Sequence, residues 1–325
     1  HLMARIAALF RRVDALAEDQ PTEERLVRGS LELDLKRFEV LQVASIPSGF
    51  AVLVRSLQSE EVNKPFKSLR LVLPKTGPAG AAKDASAASA PAADASAQQA
   101  VVKHPDGRMV FNTPNKMTLW RVKSLYDKEP DTIRWLEAME PGSVMVDVGA
   151  NVGMYTVFAA TIRKMKVFAF EPESQNFALL NANIECNGLS GQAVAYPLAL
   201  SDESKLDKLF LSQFSGGGSC HSFGQEVGFD LQPRKSAFAQ GSFSVTLDQL
   251  VDSGAVPVPR YIKIDVDGIE HKVLAGARKT LANPAVREVL VELNTHLPEH
   301  QAAIEMLRSM GFDFDPLQAQ GALRA

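Results

Sequence analysis

The chain has 325 residues, 46% of them hydrophobic and 22% charged, with a formal net charge of −3. That length holds one large domain with an appendage, or two domains, and the composition is that of an ordinary globular protein. The charge gives no electrostatic reason to expect nucleic acid or an anionic membrane as partner. The two cysteines, Cys186 and Cys220, are too few for a disulfide framework or a zinc site.

At the start, Arg5, Arg11 and Arg12 interrupt the first apolar residues, so no secretory signal is read there and a cytoplasmic location is expected. Ile6, Leu9, Val13 and Leu16 fall at alternating spacings of three and four, which predicts an amphipathic helix over residues 4–19. Packing on its own domain and self-association are equally open readings of that helix. Residues 22–73 are mixed, with Pro47-Ser-Gly49 as a turn and residues 50–55 and 69–73 as strands. Half of residues 77–100 are alanine, with interspersed Pro, Ser and Asp that weaken helix formation. The expected organisation is therefore a small α+β module at 1–76, a flexible linker at 77–100 and the main domain at 101–325.

Within that domain, His104-Pro-Asp-Gly107 reads as a hairpin turn, and Pro130-Asp131 opens a helix carrying Ile133, Leu136 and Met139. Next, the apolar run Val144-Met-Val breaks at Asp147-Val-Gly149-Ala150-Asn151-Val-Gly153 and resumes as a helix. This is the strand, Gly-rich turn and helix of a nucleotide-binding α/β domain, in which glycines admit a ligand close to the backbone. The middle position is Asn151, so the pattern is not the Gly-x-Gly-x-x-Gly of a dinucleotide turn. A second strand, residues 166–170, ends in Glu171-Pro172, 24 residues after Asp147. A carboxylate there has two oxygens for the two hydroxyls of a ribose.

A helix over residues 174–187 ends at Asn187-Gly188, and a third strand over 193–200 closes on Ser201-Asp202. In a parallel sheet these tips share one edge with Gly149 and Glu171, within reach of a ligand; a turn or helix-cap role is the bland alternative. Residues 213–240 read as a polar, Gly-rich insertion without periodicity, a lid or binding loop or else a disordered segment, with His221 as its one imidazole. A fourth strand, Tyr261-Ile-Lys-Ile264, runs into Asp265-Val-Asp267-Gly-Ile-Glu270-His271, and a fifth, over 286–293, ends at Glu292. Polar residues after a buried strand are costly unless they serve a site or cap a helix. Asp267 and Glu270 fit a capping box; Asp265 has no such alternative.

These motifs together resemble the FkbM family of S-adenosylmethionine-dependent methyltransferases. The resemblance rests on Lys128-Glu-Pro130, Asp147 to Tyr155, Phe170-Glu-Pro172, Ala199-Leu-Ser-Asp202, Leu247-Asp248, Lys263-Ile-Asp265-Val-Asp267-Gly-Ile-Glu270 and Val291-Glu292. It covers residues 108–312 and leaves the N-terminal segment outside. It implies a Rossmann-like class I methyltransferase sheet of about seven strands with flanking helices. The implied activity is O-methylation of a hydroxyl on a sugar, glycan or secondary metabolite, with S-adenosyl-L-methionine as cofactor. Neither a membrane span nor a nucleic-acid partner is expected.

The candidate cofactor-binding residues are Asp147, Gly149, Ala150, Asn151, Gly153, Tyr155, Glu171, Pro172, Ser201, Asp202 and Asp265. The candidate catalytic residues are Asp265 first, as base or hydroxyl orienter, then Asp267 and Glu270, with His271 beside them and His221 from the lid. A divalent metal on Asp265, Asp267 and Glu292 is chemically conceivable, but helix capping explains some of the same acids, and none is assigned. Two other readings stand beside the enzyme: a non-catalytic binding or assembly protein on the same fold, and a nicotinamide-dependent oxidoreductase.

Overall fold

The structure is a computed structural model that describes residues 99–315 and, as backbone strands, residues 25–28, 31–34, 39–43, 52–55 and 68–72. It divides into two compact units, His1–Ser48 and Gly49–Ala325. In the first, β1 (Arg25–Arg28), β2 (Leu31–Asp34) and β3 (Glu39–Val43) form an antiparallel sheet with an irregularity at Glu32/Leu33. The expected helix over 4–19, and with it any self-association through that helix, lies outside the described residues, as does most of the Ala-rich segment.

In the second unit, β4 (Val52–Arg55) and β5 (Ser68–Val72) are followed by a hairpin of β6 (Gln99–His104) and β7 (Gly107–Asn112). Three short helices come next: α1 (Lys116–Lys123), α2 (Leu125–Lys128) and α3 (Pro130–Ala138), the last with proline in its first turn as expected. The βα succession then begins with β8 (Val144–Val148), α4 (Met154–Ile162), β9 (Lys166–Phe170), α5 (Ser174–Cys186) and β10 (Ala193–Tyr196). After an insertion it returns with α6 (Leu247–Asp252), β15 (Tyr261–Ile264), α7 (Glu270–Ala275), α8 (Arg278–Ala282), β16 (Glu288–Glu292), α9 (Pro298–Ser309) and β17 (Phe314–Asp315).

The large sheet runs β10-β9-β8-β15-β16-β5-β4-β17. The first six strands pair in parallel; β4 and β17 close the sheet antiparallel. Strands buried on both faces read as continuous apolar runs, and side chains alternate between two cores. Met145 and Val167 face one core with Phe158 and Leu136, whereas Val146, Ile262 and Val291 face the other with Leu274 and Leu307. The chain steps outward from β8 to β10 and then returns to β15 on the other side of β8. Strand order therefore reverses between β8 and β15, and ligands of open α/β sheets bind at such a reversal, beyond the C-terminal strand ends.

Three expectations need correction. The third strand does not run through to residue 200. Pro197, with no N–H to give the ladder, ends β10, and Ala199–Leu200 (β11) joins a second, four-stranded sheet. That sheet, in the order β11-β14-β12-β13, contains β12 (Lys205–Leu211), β13 (Ser222–Phe223) and β14 (Phe238–Val245), so the Gly-rich insertion is shorter and better anchored than composition suggested. Finally, residues 1–76 are not one separate module: β5 pairs with β16 along its whole length, and β4 follows it. Gln99 and Ala100, expected in the linker, belong to the hairpin.

Without β5, the β16 edge exposes unpaired backbone groups. A chain of residues 77–325 is expected to aggregate or melt well below one of residues 49–325. Equal melting temperatures and monodispersity in thermal scattering would show that β4 and β5 contribute nothing.

Candidate functional site

The turn after β8 is held by backbone geometry. Gly149 has φ +74, and a Cβ added there would lie 1.9 Å from the carbonyl oxygen of Asp265, so no other residue lets the tips of β8 and β15 come this close. The N–H groups of Gly149 and Ala150 donate to the carbonyl of Phe170, and that of Asn151 donates to Glu171 Oε2 at 2.7 Å. Glu173 N–H donates to the other Glu171 oxygen at 2.9 Å. Glu171 is thus fixed at the tip of β9 as expected, and burial, outweighing these donors, pushes its pKa up to about 7.

Asp147 lies beneath the turn and not in the cavity. Its carboxylate is fully buried, accepts from Thr156 Oγ1 at 2.6 Å and sits 3.7 Å from Lys263 Nζ. Lys263, 1% exposed, also donates to Asp265 Oδ2 at 3.1 Å and stands 5.2 Å from the centre of the Tyr155 ring. Burial opposes its charge, yet Asp265 and Asp147 hold its pKa above the ordinary lysine range. Tyr155 in turn donates its hydroxyl to Glu129 Oε2 at 2.8 Å, and Lys128 Nζ is 2.6 Å from Glu129 Oε1.

Beyond the strand tips lies a cavity of about 380 Å³. Glu129, Asp131, Glu171, Asp265, Asp267, Glu270 and Glu292 line it against two cations, Arg121 and Lys128. The acids differ by surroundings. Burial would raise Asp265, but Lys263 and Lys128 hold it below the usual carboxylate range. Asp267, in the left-handed region at φ +59, accepts the Cys220 N–H at 2.6 Å; burial and then Asp265 push it up to about 6. Glu292 is raised well above its ordinary value by burial and then by Asp265.

Glu270 does not complete a capping box, because the residue before α7 is Ile269, with no side-chain cap. Its buried carboxylate instead accepts the N–H groups of Val266 and Gly268, bracing the loop, and burial raises it to about 8. His300 supports the same loop: Nδ1 accepts Asn294 N–H, which leaves the proton on Nε2 to donate to Gly268 O at 3.0 Å.

Other candidates fall differently. Ser201 donates to Asp202, and neither lines the cavity; the bend at Pro197 brings Leu198, Ala199 and Leu200 to it instead. Gly153 stands behind the turn, where an added Cβ would meet Leu180. Ala150 and Tyr155 line a small annex and not the main cavity, whereas Pro172 lines the latter. His221 lines the cavity with Nδ1 accepting Ser212 N–H, so its other nitrogen carries the proton and is a donor rather than a base. His271 is outside the cavity, packed on His300 with ring centres 5.2 Å apart. Among the described residues, no group of three or more His, Cys, Asp or Glu is arranged to hold a metal ion.

The Gly-rich segment is tied over the turn by its backbone. Asn115, Arg121 and Asn151 donate to the carbonyls of Gly216, Gly217 and Gly218 at 2.9, 2.7 and 2.6 Å, and Asn176 bonds both Gly217 N–H and Gly218 O. The amide at position 151, where a dinucleotide turn has glycine, is therefore a tether. Sequence reading missed Arg121, Asn176 and His300. Only Lys263, a lone cation inside an apolar strand, gave a signal that reasoning from burial would have caught.

A parallel sheet with an order reversal, a Gly turn against the neighbouring strand and an acid at the second strand's tip define a Rossmann-like methyltransferase. The model of the methyltransferase FkbM domain matches residues 147–314, and the chain belongs to that family. It is 31% identical over 185 residues to hexuronic acid methyltransferase AglP of Haloferax volcanii, covering 57% of this chain and 70% of that one. To 31-O-demethyl-FK506 methyltransferase FkbM of Streptomyces tacrolimicus it is 28% identical over 206 residues, 56% and 78% of the two chains. The crystal structure of methyltransferase FkbM from Methylobacillus flagellatus aligns with a TM-score of 0.33 and 16% identity, over 52% of this chain and about a third (36%) of that one. Among the described residues no helix is long and apolar enough to cross a membrane.

Replacing Lys263 with Met leaves Asp147 and Asp265 facing each other without a cation. It is expected to destabilise the fold by about 3–5 kcal/mol in urea unfolding; a loss below about 1 kcal/mol would contradict the bridging role. Glu270 gives a second check. Its pKa in the fold, about 8, lies above the ordinary 4.5, so the folded state binds more protons between those values and stability falls as pH rises through them. Wild type is expected to lose stability relative to Glu270→Gln between about pH 5 and pH 8. A difference that stays constant across this range would mean that Glu270 is ionised throughout.

Proposed function

We propose that the chain transfers a methyl group from S-adenosylmethionine to a hydroxyl oxygen of a sugar, glycan or secondary metabolite. The observation that carries this reading is Glu171, fixed by the Asn151 N–H at the strand-order reversal with its carboxylate on the cavity wall. The second lone pairs of its oxygens suit ribose hydroxyls, and Phe170, Leu198 and Leu200 supply an apolar wall for a purine. The excess of carboxyls over cations suits a positively charged donor. When bound, S-adenosylmethionine supplies a methyl group on a sulfonium, ready for in-line displacement. The substrates named for the two relatives, a hexuronic acid and 31-O-demethyl-FK506, support an oxygenated acceptor.

The acids divide the remaining work. Asp265, held ionised by Lys263, is a weak base and orients the acceptor. Asp267, raised to about 6 and held by Cys220 N–H through one oxygen, is the better base near neutrality. It is active when deprotonated, so turnover rises as pH climbs through about 6. Cys220, His221 and Phe229 of the anchored insertion line the cavity and help keep water from the reacting oxygen.

Calorimetric titration of S-adenosylmethionine is expected to show binding that falls at least about tenfold in Glu171→Ala. No binding by folded wild type would refute the reading. With labelled donor and a panel of sugars and metabolites, Asp267→Asn is expected to lower kcat by about 10²–10⁴. An unchanged rate would remove Asp267 from the chemistry.

A further inference from the structure

Of the seven carboxyls on the wall of the main cavity, all but Glu292 are engaged. Lys128, Tyr155 and Thr132 hold Glu129, and Arg134 holds Asp131. Backbone N–H groups hold Glu171, Asp267 and Glu270, and Lys263 holds Asp265. Glu292, half-buried at the tip of β16, makes no hydrogen bond or ion pair among the described residues. A carboxyl drawn partly out of water without a partner is costly, and its oxygens are free for a ligand. Two residues on, Asn294 lines the same cavity. Its Oδ1 accepts the His296 N–H at 3.0 Å and its backbone N–H donates to His300 Nδ1 at 2.9 Å. These bonds set the orientation of the amide and leave Nδ2 without a partner among the described residues.

The place of this pair in the sheet gives it a use. Strands β9, β8, β15 and β16 lie side by side in that order. At about 4.8 Å per strand step, the tip of β16 stands roughly 14 Å from the tip of β9. The donor reading puts the ribose at Glu171 on β9 and the reacting hydroxyl at Asp265 and Asp267 after β15. Glu292 and Asn294 therefore lie beyond the reacting atoms, on the acceptor's side. Burial and then Asp265 raise Glu292 above the ordinary carboxyl range, which favours its uncharged form. An uncharged carboxyl donates through its O–H and accepts through its C=O, and the Asn294 amide adds two N–H donors. Two neighbouring hydroxyls, each a donor and an acceptor, satisfy such a pair, whereas an apolar edge leaves it unpaired. We infer that Glu292 and Asn294 bind the acceptor through two hydroxyls on adjacent carbons, apart from the hydroxyl that Asp267 deprotonates. The acceptor is then a polyhydroxylated ring, a sugar or cyclitol, and not a metabolite with one isolated hydroxyl. This rests on the methyl-transfer reading above and narrows it.

The test uses labelled S-adenosylmethionine with the methyl glycosides of glucose, mannose and glucuronic acid as acceptors, and cyclohexanol as the single-hydroxyl probe. Wild type is expected to methylate at least one glycoside and to use cyclohexanol about a hundredfold less well in kcat/KM. Glu292→Ala is expected to raise KM for that glycoside about tenfold or more, with kcat changed less than about threefold. Its affinity for S-adenosylhomocysteine should move less than about twofold, which separates the acceptor site from the donor site and from misfolding. Glu292→Gln keeps a neutral donor and acceptor and should recover most of the loss. Among deoxy forms of the glycoside, one should lose affinity in wild type and lose nothing further in Glu292→Ala. An unchanged KM in Glu292→Ala, a Gln variant as impaired as the Ala variant, no deoxy form with that coupling, or equal use of cyclohexanol would each overturn the assignment. So would wild type that binds the donor and methylates no glycoside. Wild type that binds no S-adenosylmethionine refutes the donor reading itself, and this inference with it.

Discussion

The site depends on a buried cation. Lys263 sits where β8 and β15 end side by side, almost without solvent, between the carboxylates of Asp147 and Asp265. Taking Lys263 and Asp147 wholly, and Asp265 partly, out of water is expensive, and their mutual attraction offsets that only in a fixed geometry. The arrangement therefore holds the two strand tips in one relation. Gly149 makes the relation available by giving up its Cβ to the Asp265 carbonyl. Tyr155, Glu129 and Lys128 extend the same network to the helices in front of β8, so the cavity wall is bonded to the sheet.

With the frame set, surroundings give like residues unlike properties. Four carboxyls within a few residues of the strand tips span the range from below the ordinary value at Asp265 to about 6 at Asp267, about 7 at Glu171 and about 8 at Glu270. Burial acts on all of them. The difference is whether a cation or backbone donors stand close by: Lys263 for Asp265, backbone N–H groups for the other three. An ionised orienter, a base poised near neutrality and a loop brace can thus be made from the same functional group.

The Gly-rich segment follows a related economy. Gly216, Gly217 and Gly218 are fastened through their carbonyls to the side chains of Asn115, Arg121, Asn151 and Asn176, and these three residues contribute backbone only. Glycine at 216–218 lets that backbone approach closely: a Cβ on Gly216 would come within 2.8 Å of Leu179. The glycine run itself accordingly carries no recognition code.

What the sequence determined by itself is local. The alternation of apolar runs with helical periodicity yields β8, α4, β9, α5 and β15 close to their observed bounds, because each forms from neighbours a few residues apart. The same holds for Glu171 at a strand tip, and for the Gly turn, whose residues must be compatible with one backbone path. Tertiary structure decided whatever depends on partners far along the chain. That Val52–Arg55 and Ser68–Val72 extend the main sheet is a matter of which edge was open, and edge pairing leaves no period in a sequence. That Asp147 faces Lys263 while Glu171 faces the cavity, and that Arg121 borders the turn, follows from packing between elements. An acidic side chain reads alike in sequence whether a buried lysine or empty space lies opposite, since the field that sets its role comes from residues many positions away.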